Sequence, residues 1–182
     1  MSDRQISTSR SSLRARLRRV KLFLCDVDGV LTDGAVLMGN GVETKRFHVR
    51  DGLGMRLLQR QGIKVGWISR RPSSATAQRA EDLKIDFLHQ SNANKVTAVE
   101  SILAQTGLTW ADVCYVGDDI VDLGVLKRVG VAVTVADGLR ETKAAADYVT
   151  RLPGGQGAVR EVVDLILKAQ NKWQRLVEDY SS

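Results

Sequence analysis

The sequence predicts an α/β protein: a mostly parallel central sheet with helices on both faces, carrying a β-hairpin insertion. Three observations lead there. In VKLFLCDVDGVLTDG, residues 20–34, a short apolar run ends abruptly in two acids, Asp26 and Asp28. A run of that length closed by glycine reads as a buried strand, since too few residues remain for a helix. Similar runs then alternate with helical patterns to the end of the chain, which implies βαβ units. Between two strand-like runs stands Gly39-Asn40-Gly41, a hairpin signal.

The elements follow in order. After the first strand come strand-like runs at Val36–Met38 and Lys45–Val49, then helical periodicity over Gly54–Gln61 with Gly62 as a stop. Lys64–Ile68 reads as a strand, Ser73–Asp82 as a helix, Asp86–Leu88 as a short strand, and Ala93–Gln105 as a helix closed by Gly107. Val113–Val116 and Val131–Val135 read as strands flanking a helix over Ile120–Arg128. A short helix over Leu139–Ala145 and a strand at Tyr148–Thr150 lead into Gly154-Gly155-Gln156-Gly157 and a long helix from Ala158 towards Tyr180.

The chain has 182 residues, 43% hydrophobic and 26% charged, which suits one soluble domain with a substantial core. No apolar run approaches the roughly 20 residues of a membrane span. The net charge of +6 lies wholly in Met1–Lys21, where seven Lys or Arg stand against one acid, Asp3. The remaining body is formally neutral, a poor electrostatic footprint for nucleic acid. We therefore expect a basic extension over residues 1–19, flexible or forming a short polar helix, and one domain over 20–182. The Ser- and Arg-rich leader faintly resembles an organellar transit peptide. Cys25 and Cys114 sit in predicted strands without metal-ligand spacing and read as core thiols of a reducing compartment.

Four strand-following segments carry groups suited to phosphate chemistry. Asp26 and Asp28 would stand at the carboxyl end of a central strand, where open α/β sheets bind ligands. Ser69 ends KVGWIS with a hydroxyl able to donate to a phosphate oxygen. Lys95 opens a helix, where its ammonium and the helix N-terminus both favour an anion. Gly117-Asp118-Asp119 follows VCYV, and a few carboxylates with room for water suit Mg²⁺. Each has a plainer reading: Ser69 as a turn hydroxyl, Lys95 as a solvated helix residue, Asp118 or Asp119 as a helix cap.

Taken together and in order, these segments resemble the four motifs of the haloacid dehalogenase superfamily. DVDGVLTDG, MGNGVETKRFHVRDGLG, SNANK, YVGDDIVDLGVL, VTVADG, ADYVTR and GGQGAVREVVDLIL further resemble its capless 3-deoxy-D-manno-octulosonate 8-phosphate (KDO 8-phosphate) phosphatases, over about residues 21–170. The resemblance implies a Rossmann-like three-layer sandwich with a hairpin after the first motif. It makes Asp26 the nucleophile and Asp28 the general acid, then base. Asp26, the Asp28 carbonyl and Asp118 would hold Mg²⁺, and Ser69 and Lys95 the phosphoryl oxygens. Arg50, Arg71, Arg79 and Arg160 become candidates for the sugar carboxylate, with surface ion pairing as the alternative for each.

The same resemblance implies a cytoplasmic bacterial enzyme of lipopolysaccharide precursor synthesis. It also implies a homotetramer whose active sites are completed between subunits. One departure stands out. Arg70 in Ser69-Arg70-Arg71 replaces the glycine usual at that place. A nine-carbon sialic acid or KDN 9-phosphate phosphatase is the nearest alternative. A non-catalytic oligomerisation module is the alternative from another class. His48 and His89 read as structural.

Overall fold

Strand β1, Leu22–Cys25, is wholly buried and lies inside a six-stranded sheet. The computed structural model describes residues 13–181. The other sheet strands are β4 (Lys64–Ser69), β5 (Phe87–Gln90), β6 (Val113–Gly117), β7 (Val131–Thr134) and β8 (Tyr148–Val149), in the order β5-β4-β1-β6-β7-β8. Every pairing is parallel, and Cys25 stands opposite Trp67 on one side and Val116 on the other. All carboxyl ends therefore open on the same edge. The residues after β1, β4 and β6 meet there.

Alternation along β1 builds the layers. Phe23 and Cys25 enter one apolar cluster with α2 (Val49–Arg60) and α7 (Ala158–Ala169), while Leu22 and Leu24 enter another with α4 (Lys95–Thr106) and α5 (Leu123–Leu126). Helices α3 (Ser74–Asp82), α6 (Arg140–Ala145) and α8 (Trp173–Asp179) complete the set. This is the expected three-layer α/β sandwich. Among the described residues no helix is long and apolar enough to cross a membrane.

Residues 13–19, counted with the basic extension in the sequence reading, form a helix, α1. Its Leu17 is buried in the core, and Arg16 donates to both carboxylate oxygens of Asp147 at 2.8 Å. By these contacts α1 belongs to the body. Residues 1–12 of the expected extension lie outside the described residues.

Four elements differ most from the sequence reading. The hairpin strands are β2 (Leu37–Gly39) and β3 (Val42–Thr44), and Lys45–Val49 is not a strand. Asn40 and Gly41 take φ of 50° and 75°, which makes a two-residue loop closed by Gly39 opposite Val42, and pairing runs as far as Leu37 opposite Thr44. Helix α2 begins at Val49, well before Gly54. The helix expected over 120–128 is a 3₁₀ turn, Ile120–Asp122, followed by the four residues of α5. The Asp122 carboxylate folds back onto the N–H groups of Asp118 and Asp119 and tightens that turn. The long final helix breaks at Asn171, which adopts a left-handed φ of 58° and closes α7 before α8 starts.

Candidate active site

The chain leaves β1 at Asp26, whose N–H still bonds to the Val116 carbonyl at 2.9 Å, and turns at once. The N–H groups of Leu31 and Thr32 both return to the Val27 carbonyl, so residues 27–32 form a tight loop. Gly29 has φ of 86°, and a Cβ there would lie 2.1 Å from Asp118 Oδ2. Only glycine lets the loops after β1 and β6 approach so closely. A second clamp comes from the segment before α7. The Gly155 N–H bonds to the Val30 carbonyl at 3.0 Å, and a Cβ on Gly154 would fall 1.8 Å from the Gly29 carbonyl oxygen.

Lys95 is the first residue of α4, placed by Asn94, whose side chain caps the helix by accepting from the Val96 N–H at 2.9 Å. Its side chain is buried, and its ammonium lies 2.5 Å from Asp26 Oδ2 and 2.7 Å from Asp122 Oδ1. A cation so enclosed needs paired charge, and these two carboxylates supply it. The buried Tyr115 hydroxyl also donates to Asp122 Oδ1, at 2.5 Å. Asp26, Asp118 and Asp122 bring one carboxylate oxygen each within 4.8 Å of one another.

Three carboxylates around one ammonium leave an excess of negative charge. Burial pushes the Asp118 carboxyl up to about 7, helped by Asp26 and Asp122. Burial also pushes Asp26 up to about 6 against the opposing pull of Lys95. Lys95 is raised by these acids in spite of its own burial. Asp118 Oδ1 is buried without a hydrogen-bond partner. An unpartnered buried carboxylate oxygen facing two further carboxylates suits a small hard divalent cation.

The pocket above this cluster, about 230 Å³, is also lined by Asp28, Ser69, Arg70 and Arg71. The Asp28 carboxylate is ion-paired with the Lys45 ammonium, 2.6 Å from it. Ser69 Oγ accepts from the Arg71 N–H at 3.0 Å and donates to the Arg71 carbonyl at 3.1 Å, so its hydroxyl also shapes the turn. Arg71 is ion-paired to Glu43 of β3. The other arginine candidates lie elsewhere in this chain. Arg79 pairs with Asp82. Arg50 and Arg160 line a separate pocket of about 410 Å³, and Arg160 is bound to Asp164 at 2.7 Å.

The sequence reading did not single out Asp122, Tyr115, Lys45 or Glu43. For Asp122 a signal existed, an acid four residues after Asp118 within GDDIVD. Lys45 and Glu43 carried none, because a charged residue beside a hairpin ordinarily faces solvent.

Comparison with known proteins identifies the family. The chain is 44% identical over 159 residues to the 3-deoxy-D-manno-octulosonate 8-phosphate phosphatase of Escherichia coli K12, covering 87% of this chain and 85% of the relative. The chain belongs to the KDO 8-phosphate phosphatase family. These phosphatases are phosphoric monoester hydrolases, and residues 75–161 match the model of haloacid dehalogenase-like hydrolases.

Two solved phosphatases of the family superpose closely. The Moraxella catarrhalis enzyme, in complex with magnesium ion, phosphate ion and KDO, matches with TM-score 0.91 and 37% identity, over 93% of this chain and 98% of that one. The cobalt-bound Haemophilus influenzae enzyme matches with TM-score 0.83 and 40% identity, over 86% and 92%.

Proposed function

We propose that this chain is a Mg²⁺-dependent phosphatase that hydrolyses KDO 8-phosphate to KDO and inorganic phosphate through an aspartyl-phosphate on Asp26. The observation that carries the proposal is the Asp26 carboxylate. It is held by Lys95 beside Asp118 and Asp122 at the carboxyl edge of the sheet, in a chain similar to enzymes of that activity.

Asp26 attacks phosphorus while Asp28 gives its proton to the sugar oxygen as the P–O bond breaks, so the alcohol leaves neutral. Asp28 then takes a proton from water, whose oxygen attacks the phosphorylated Asp26 and releases phosphate with the carboxylate restored. Lys95 steadies Asp26 and faces the incoming dianion. Asp26, the Asp28 carbonyl and Asp118 would hold the metal, with Asp122 beside them. A divalent cation bound there supplies positive charge that offsets repulsion between the nucleophile and the phosphate. Ser69 and Arg71 fit the role of anion binders at the pocket wall.

Arg50 and Arg160 do not line the Asp26 pocket of their own protomer. Their assignment to the sugar carboxylate therefore goes with a homotetramer, in which a neighbour would complete each site, and Arg79 remains a weaker candidate. The same reading makes the protein a cytoplasmic enzyme of lipopolysaccharide precursor synthesis, without nucleic-acid or membrane partners. Residues 20–182, with α1 packed onto them, form its single catalytic domain. No described contact favours the nine-carbon or the non-catalytic alternative.

Phosphate release from KDO 8-phosphate, with Mg²⁺ and with chelator, tests the proposal. Metal-dependent turnover is the expected result. No release with Mg²⁺ present, under conditions where a family member is active, would refute it.

A further inference from the structure

The hairpin β2–β3 is a separate two-stranded sheet, and such a sheet is marginal by itself in water. Charged groups bind its second strand to the catalytic loops. The Lys45 side chain is fully buried, 2.6 Å from Asp28 Oδ1 and 3.7 Å from Glu43 Oε1. Glu43 in turn accepts from the Ser73 hydroxyl at 2.7 Å and from both terminal nitrogens of Arg71. The Ser73 hydroxyl is the chief cause holding the Glu43 carboxyl below its usual range, with Arg71 and Lys45 adding to it. A row of alternating charge thus runs from Asp28, through Lys45 and Glu43, to the loop after β4.

We propose that Lys45 is a positioning residue for the reaction, which fixes the Asp28 carboxyl group where it can serve the leaving oxygen. Glu43 is the strut that holds Lys45 in place. The inference rests on the reading of Asp28 as proton donor. A buried ammonium keeps its position only while its carboxylate partners hold it, and it constrains them in return. Asp28 is only a quarter exposed, and Lys45 is its ion-pair partner among the described residues. Without Lys45 the carboxyl group would sample other rotamers. The same pair joins hairpin to loop, so a displaced hairpin would carry the proton donor with it.

Leaving-group dependence tests this. A sugar alkoxide needs the proton, whereas p-nitrophenolate leaves without one, and kcat/KM reports only the steps through the first P–O cleavage. With Lys45→Met we expect kcat/KM for KDO 8-phosphate to fall at least about thirtyfold, and that for p-nitrophenyl phosphate by no more than about threefold. Lys45→Arg, which keeps a cation in reach of Asp28, should recover most of the lost ratio. It also carries the comparison if Lys45→Met does not fold by circular dichroism.

Equal losses on both esters, or no loss on either, would overturn the proposal. So would a Lys45→Arg protein as selective against the sugar ester as Lys45→Met. If the unmodified protein ignores KDO 8-phosphate, the substrate reading fails by itself. The ratio is then measured on whichever sugar phosphate it does hydrolyse.

Discussion

In the metal-free site burial pushes the Asp26 and Asp118 carboxyls up, which ties proton, metal and stability together. Burial raises both from 3.8, Asp26 to about 6 and Asp118 to about 7. An unfolded chain releases those protons near 3.8, so between about pH 4 and 7 the folded state holds more of them. Metal-free stability from these two groups is therefore present at low pH and lost as pH rises through the folded values. A divalent cation needs the ionised carboxylates and must displace the protons. The rise in melting temperature on adding Mg²⁺ should thus be larger at about pH 8 than at about pH 5. Equal shifts would remove the ion from this cluster.

Asp26→Asn keeps nearly the same shape and removes the carboxylate proposed as nucleophile. It should abolish turnover, by at least about 10⁴-fold, with a circular dichroism spectrum like the parent's. Near-normal phosphate release would exclude the aspartyl-phosphate. That Asp26, Ser69, Lys95 and Asp118 share one pocket was legible at this scale, because each closes or follows a strand of one parallel sheet. Asp122 showed only as an acid four residues after Asp118, and Tyr115 not at all. Their roles come from contacts made in the fold, Asp122 with Asp118 and Lys95, and Tyr115 with Asp122.

At the scale of elements, the segment before α7 acts on the loop after β1. Gly154 sits where any Cβ would meet the Gly29 carbonyl, backbone against backbone, so neither side can yield by a rotamer change. Gly154→Ala should push the Asp28-bearing loop aside. We expect a loss of about 1–3 kcal/mol in denaturant unfolding and a fall in phosphate release of about tenfold or more. An alanine variant with parental stability and rate would mean that the two loops are not coupled. Strands and helices with strong apolar periodicity were readable in the sequence, as was the Gly-flanked hairpin turn. The early start of α2 and the break at Asn171 were not, because tertiary contacts outweigh weak local preference at such ends. Arg160 beside Asp164 and over the Trp173 ring at 5.5 Å shows how closely α7 and α8 pack across the break.

At the scale of the molecule, the hairpin exposes Val36 (48%), Leu37 (55%), Met38 (68%) and Val42 (62%) together. Apolar residues at an uncovered strand edge favour pairing with another chain. Light scattering should give a tetramer, and Leu37→Asp with Met38→Asp should dissociate it with loss of KDO 8-phosphate turnover. A fully active monomer would defeat the assembly reading and, with it, the roles given to Arg50 and Arg160.

The apolar run of β1, the βαβ alternation and the order of the motifs specify the fold and the chemical class of the site. They do so because periodicity and strand-end polar groups are local properties, written residue by residue. Folding alone decides which charges meet. Lys45 lies 17 residues after Asp28, and Asp122 lies 27 after Lys95, yet each pair closes to within 2.7 Å. Such pairs depend on where a hairpin lands and how a turn folds back, on distances set by the packed sheet. For the same reason the chain places Arg71 above Asp26 and Arg50 beside a different pocket, although all its arginines look alike in the sequence.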